Sequence, residues 1–123
     1  MTNEELIHEF FRRSDAGDVD GLLELLSDDC SYSTVLLERD LRGKAELADL
    51  FRSNLDGLRS HREWATNVIV EGDVAGSEVR LEGVSRTGRE VVLDSLNVWD
   101  FADGRIRRIR VYADTAPIAA AFA

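Results

Sequence analysis

The segment from Arg89 to Asp114, REVVLDSLNVWDFADGRIRRIRVYAD, does most to limit what this chain can fold into. Two runs rich in β-branched and aromatic residues flank a tight turn at Ala102-Asp103-Gly104, the pattern of a long β-hairpin. In the first run Val91, Leu93, Ser95, Asn97 and Trp99 alternate with Val92, Asp94, Leu96 and Val98, so both faces are expected to be covered. In the second, Ile106, Ile109 and Val111 stand among Arg105, Arg107, Arg108 and Arg110. Ser95 and Asn97 are a polar pair on one face of an otherwise apolar strand. Such a pair points to the wall of a pocket.

The rest of the chain supplies what that hairpin packs against. Thr2 followed by Glu5 reads as a capping box opening a first helix, with Leu6, Ile7, Phe10, Phe11 and Ser14 on one face. Ala16-Gly17 ends it, and Asp18 can cap a second helix carrying Leu22, Leu23, Leu25 and Leu26 that closes at Ser27-Asp28-Asp29. A short strand is predicted from Cys30 to Leu37. Leu41-Arg42-Gly43 then leads into a third helix with a stripe of Leu47, Leu50, Phe51, Leu55 and Leu58. From His61 onward the period becomes two, with strands predicted over Trp64 to Glu71 and Val74 to Arg86 ahead of the hairpin. The tail TAPIAAAFA is a packing tail or a short terminal helix. Helices followed by four consecutive strands give an α+β domain, with helices on one face of a curved antiparallel sheet. A sheet bent around helices that cannot fill its concave face leaves a cavity, and Phe10, Phe51, Trp64 and Trp99 are available as its walls.

At 123 residues and 44% apolar content the chain is expected to form one domain, 1–123, with its own core. A net charge of −9 argues against nucleic acid and anionic membrane as partners. No apolar run reaches the length of a membrane span and the start, MTNEEL, is acidic, so a cytoplasmic protein is expected. Cys30 has no second cysteine to pair with and reads as a small buried residue. His8 reads as solvated and His61 as solvent-facing or paired with a glutamate. The two histidines are isolated, so no metal site is expected, and without a phosphate loop or dinucleotide fingerprint neither is a cofactor.

Three stretches, FFRRSDAGDVDGLLELLSDDCSY, LRGKAELADLF and LDSLNVWDFADGRIRRIRVYAD, resemble the NTF2-like superfamily in its ketosteroid isomerase and SnoaL-like polyketide cyclase branch. The resemblance implies a cone-shaped fold with three N-terminal helices on the curved sheet. The scaffold hosts isomerases, cyclases, hydrolases, dehydratases and binders, so the fold does not name an activity. Ketosteroid isomerases use an Asp base and an oxyanion hole of a Tyr and a protonated Asp. At the matching places this chain carries Phe10 for the Tyr, Ser33 and Thr34 for the base, and Asn97 for the oxyanion Asp. Neither Phe10 nor Thr34 can do its counterpart's work, because a Thr hydroxyl is far too weak an acid to stand in for a carboxylate. SnoaL-like cyclases place a working Asp on or just past the last strand, and Asp114 in VYADTAP resembles that position.

The resemblance therefore implies Asp114 as a base and Asn97 as the donor that holds an enolate oxygen. The structural alternative for Asp114 is to cap the tail or pair with an arginine. Phe10, Ser14, Thr34, Phe51, Trp64, Arg80, Ser95 and Trp99 are the expected ligand-binding residues. Arg80, between Glu78 and Glu82 on one face, orients a ligand if that face is concave and joins a surface ladder if it is convex. The expected function is binding of a small hydrophobic ligand, with cofactor-free acid–base chemistry on a carbonyl compound. The alternatives are a binding module without chemistry and a structural dimer whose own side chains fill the cavity. A homodimer is expected in either case, since the helices cover only one face of the last strands.

Overall fold

Helix α1 (Asn3–Asp15) begins where Thr2 and Glu5 cap each other: the Glu5 N–H donates to the Thr2 hydroxyl at 3.1 Å and the Thr2 N–H to the Glu5 carboxylate at 3.0 Å. In the computed structural model, which describes all 123 residues, its stripe of Leu6, Ile7, Phe10 and Phe11 is buried. Helix α2 (Val19–Glu24) is capped by Asp18, whose carboxylate accepts the Gly21 N–H at 2.9 Å. Then follow β1 (Leu26–Thr34), β2 (Leu41–Arg42), α3 (Gly43–Asp56), β3 (Leu58–Glu71), β4 (Val74–Ser85), β5 (Glu90–Ala102), β6 (Arg105–Tyr112) and α4 (Thr115–Ala121).

The six strands form one curved sheet in the order β2-β1-β6-β5-β4-β3. This corrects two expectations. The sheet is not wholly antiparallel, because β1 runs parallel to β6, with Tyr32 opposite Ile109 and Thr34 opposite Val111. The helices number four, and β1 and β2 separate α2 from α3, so they do not form one N-terminal block. Leu26 to Asp29, expected to close the second helix, instead starts β1. Leu26 is fully buried beside Ile106, and the Ile106 N–H donates to Leu25 O at 2.9 Å. A sheet edge to pair with outweighs the helical spacing of the leucines there.

The β5–β6 hairpin closes through Asp103 and Gly104 with φ of 52° and 75°. Two successive left-handed residues give a loop whose twist matches the strands. The β3–β4 pair is pressed close at Gly83, where a side chain's Cβ would lie 2.3 Å from Ser60 O.

The core lies between the helices and the inner sheet face. Phe10 stands at its centre, edge-on to Trp99, Phe11 and Phe51 with ring centroids 5.3, 5.4 and 5.7 Å away. Trp99 is fully buried, and its indole N–H donates to the buried Ser77 hydroxyl at 2.9 Å. The opposite face of the sheet is bare of helices. On it Arg80 makes paired hydrogen bonds to Asp94 at 3.0 and 3.1 Å, and the Arg62 guanidinium lies 4.2 Å from the centre of the Trp64 ring. Val92, Leu96 and Tyr112 remain 57, 45 and 50% exposed there. No helix is long and apolar enough to cross a membrane.

Candidate functional site

The helices do not fill the concave face of the sheet, and a cavity of about 470 Å³ remains between them. Helix α1 contributes Phe10, Phe11 and Ser14; α3 contributes Leu50 and Phe51. Strand alternation supplies the facing wall. His61 and Glu63 come from β3, Leu81 from β4, Leu93, Ser95 and Asn97 from β5, Ile109 and Val111 from β6, and Tyr32 and Thr34 from β1. Leu36 and Leu37, after β1, and Ile118 and Phe122, from the C-terminal segment, add to the lining. Leu36 and Phe122 are exposed, which places them at the rim. The size and the mostly apolar lining with a few inward polar groups are those of a small-molecule site.

Glu63 is the most unusual group in that lining. Its carboxylate makes no hydrogen bond or ion pair within the chain, although its backbone N–H donates to the Asp15 carboxylate at 2.9 Å. Loss of hydration, reinforced by the Asp15 charge, pushes its pKa from 4.5 up to about 7. Next to it, Tyr32 is raised above its ordinary value, first by desolvation and then by the Glu63 charge, so its hydroxyl stays protonated and remains a donor. His61 is tied to the end of α1: Nε2 lies 3.2 Å from Ser14 O and 3.6 Å from Asp15 Oδ1. Ser95 donates to Asn97 Oδ1 at 3.4 Å, and the Asn97 Nδ2 makes no hydrogen bond within the chain. The cavity thus holds one carboxyl poised near neutrality and, among its neutral polar groups, the Tyr32 hydroxyl and the Asn97 amide as donors. No three His, Cys, Asp or Glu side chains are grouped to hold a metal ion.

Of the residues singled out in the sequence, Phe10, Ser14, Thr34, Phe51, Ser95 and Asn97 line this cavity. Four do not. Asp114 caps α4, its carboxylate accepting the Ala116 N–H at 3.2 Å, which is the structural alternative weighed for it. Trp99 is sealed in the core by Phe10, Phe11 and Ser77. Trp64 and Arg80 are register partners on the outer face, where Arg80 is neutralised by Asp94. Sequence reasoning missed Glu63 and Tyr32 and set His61 aside. From the sequence β3 starts at Trp64, whereas it starts at Leu58. The earlier start puts His61, Glu63 and Ala65 on the inner face, opposite Gly83, Leu81 and Val79. A lone glutamate in an inward period-two series was the available signal.

The curved sheet, the helices on its concave side and the cavity between them define an NTF2-like α+β protein. A family model of the SnoaL-like domain matches residues 7–109, and the chain belongs to that family. No curated protein matches the sequence. Among solved structures, the chain superposes on an NTF2-like protein from Burkholderia pseudomallei K96243 with a TM-score of 0.88 at 20% identity, covering 99% of this chain and 98% of that one. TerC, co-crystallised with polyporic acid, gives 0.87 at 21% identity over 98% and 97% of the two chains. An LEH-like epoxide hydrolase from M. tuberculosis gives 0.79 at 21% identity over 96% and 86%. Identities this low establish the shared fold and leave the chemistry to the site.

Proposed function

We propose that this protein binds a small, largely apolar carbonyl compound in the cavity and moves a proton on it without a cofactor. Glu63 takes the proton α to the carbonyl: the C–H bond breaks, the proton passes to a carboxylate oxygen, and the electron pair is delocalised onto the carbonyl oxygen. The Asn97 amide and the Tyr32 hydroxyl stabilise that enolate. Glu63 returns the proton to another carbon of the conjugated system in an isomerisation, or to the alkoxide formed when the enolate carbon bonds to a second carbonyl carbon of the same molecule in a ring closure. One observation carries the reading: an unpaired carboxyl lining an apolar cavity, its pKa raised to about 7. Asn97 keeps the role expected of it from the sequence. The base is Glu63 in place of Asp114, whose carboxylate is occupied at the α4 cap. A cavity of about 470 Å³ also weighs against a dimer that fills the space with its own side chains.

The test is α-proton exchange in D₂O on a panel of hydrophobic ketones, followed by NMR with wild type, Glu63→Gln and Asp114→Asn. Exchange accelerated by wild type and Asp114→Asn but not by Glu63→Gln is the expected result. Saturable binding with no exchange on any ketone contradicts the chemistry and leaves a binding module. Exchange lost in Asp114→Asn and kept in Glu63→Gln returns the role of base to Asp114. We further propose that a second copy of the chain covers the outer sheet face, where Val92, Leu96 and Tyr112 are exposed around the Arg80–Asp94 pair.

A further inference from the structure

The charges around the cavity are one-sided. No lysine or arginine lines it. Glu63 faces it without a counter-ion, and Asp15 stands behind Glu63, accepting its backbone N–H at 2.9 Å. Asp94 borders the cavity but is already held by Arg80. Arg89, near the C-terminal helix, is directed to the Ala120 carbonyl at 3.4 Å. The one imidazole in the lining, His61, is already engaged, its Nε2 3.2 Å from Ser14 O and 3.6 Å from Asp15 Oδ1. An anionic ligand entering here would lose its hydration, find no cation, and meet a carboxylate. An ammonium would find the Glu63 carboxylate and the rings of Phe10 and Phe51.

Building on the reading of the cavity as a ligand site, we infer that it takes apolar compounds that are neutral or carry a basic nitrogen and rejects carboxylates and phosphates, with Glu63 setting that preference. The substrate class is thereby narrowed to ketones, esters and amines, and free acids and phosphorylated compounds fall outside it.

Three probes with one apolar frame test this: 2-acetylanthracene, anthracene-2-carboxylate and 2-(aminomethyl)anthracene, titrated at pH 8 by quenching of tryptophan emission. The carboxylate is expected to bind about tenfold or more weakly than the ketone, and the amine at least as tightly as the ketone. In Glu63→Gln the carboxylate is expected to come within about threefold of the ketone and the amine to lose its advantage. A carboxylate that binds wild type as tightly as the ketone does, or a preference that Glu63→Gln leaves intact, overturns the inference while ketone binding still supports a ligand site. No saturable signal from any of the three overturns both.

Discussion

The Asp15 carboxylate accepts the backbone N–H of Glu63 at 2.9 Å, tying the last residue of α1 to the strand residue whose own side chain faces the cavity. One carboxylate thus fixes the position of another, whose pKa burial raises first and the Asp15 charge raises further. His61, two residues earlier on the same face of β3, reaches the same helix end.

Glu63 makes stability depend on pH in a defined direction. Its pKa is about 7 in the fold against an ordinary 4.5, so between those values the folded chain binds more protons than the unfolded one. The contribution of this group is therefore full below about pH 4.5 and is lost as pH rises through 7. Glu63→Gln removes that dependence and should exceed wild type by about 1–3 kcal/mol at pH 8 while matching it near pH 4.5. Paired thermal melts at the two pH values check this.

Asn97 and Tyr32 are assigned to the developing oxyanion, and their loss should appear in turnover before it appears in binding. Asn97→Ala is expected to slow α-proton exchange about 100-fold while ligand affinity changes only a few-fold. Tyr32→Phe should act in the same direction, because the raised pKa keeps its hydroxyl a donor throughout the working range. Equal losses in affinity and rate would assign both residues to binding alone.

Trp99 is a structural residue, and its indole N–H depends on Ser77. Ser77→Ala leaves that buried donor without its partner at 2.9 Å and should cost about 1–3 kcal/mol in a denaturant melt. Ligand affinity should be unchanged, because neither residue lines the cavity.

The outer face predicts assembly. Leu96→Glu places a charge between Val92 and Tyr112, and sedimentation at micromolar concentration should show a dimer for wild type and a monomer for the variant. A monomeric wild type contradicts the proposed interface.

Much of this fold was legible because its signals are local. The Thr2–Glu5 cap, the α1 stripe and the Asp103-Gly104 turn each specify a conformation within a few residues. The parallel pairing of β1 with β6 was not legible, since it joins Tyr32 to Ile109 across most of the chain and draws Leu26, the last leucine of the helical series, into a strand. The polar pair Ser95 and Asn97 marked the cavity wall because alternation on β5 was unambiguous. The same alternation placed Trp99 on that face, but depth along the strand was not readable, and Trp99 lies in the packed core beyond the cavity. Arg80 and Trp64 were uncertain for a related reason. Only the register of β3 on β4 settles that both point outward. Glu63 was hidden by a strand start set six residues late, at Trp64 in place of Leu58.

The most direct measurement is the titration of Glu63 itself, followed through the ¹³C shift of its labelled carboxyl, with Glu63→Gln to assign the signal. A midpoint near 7 is expected, falling when Asp15→Asn removes the neighbouring charge. A midpoint near the ordinary 4.5, unmoved by Asp15→Asn, would describe a hydrated carboxylate and contradict the assignment of Glu63 as the base of this cavity.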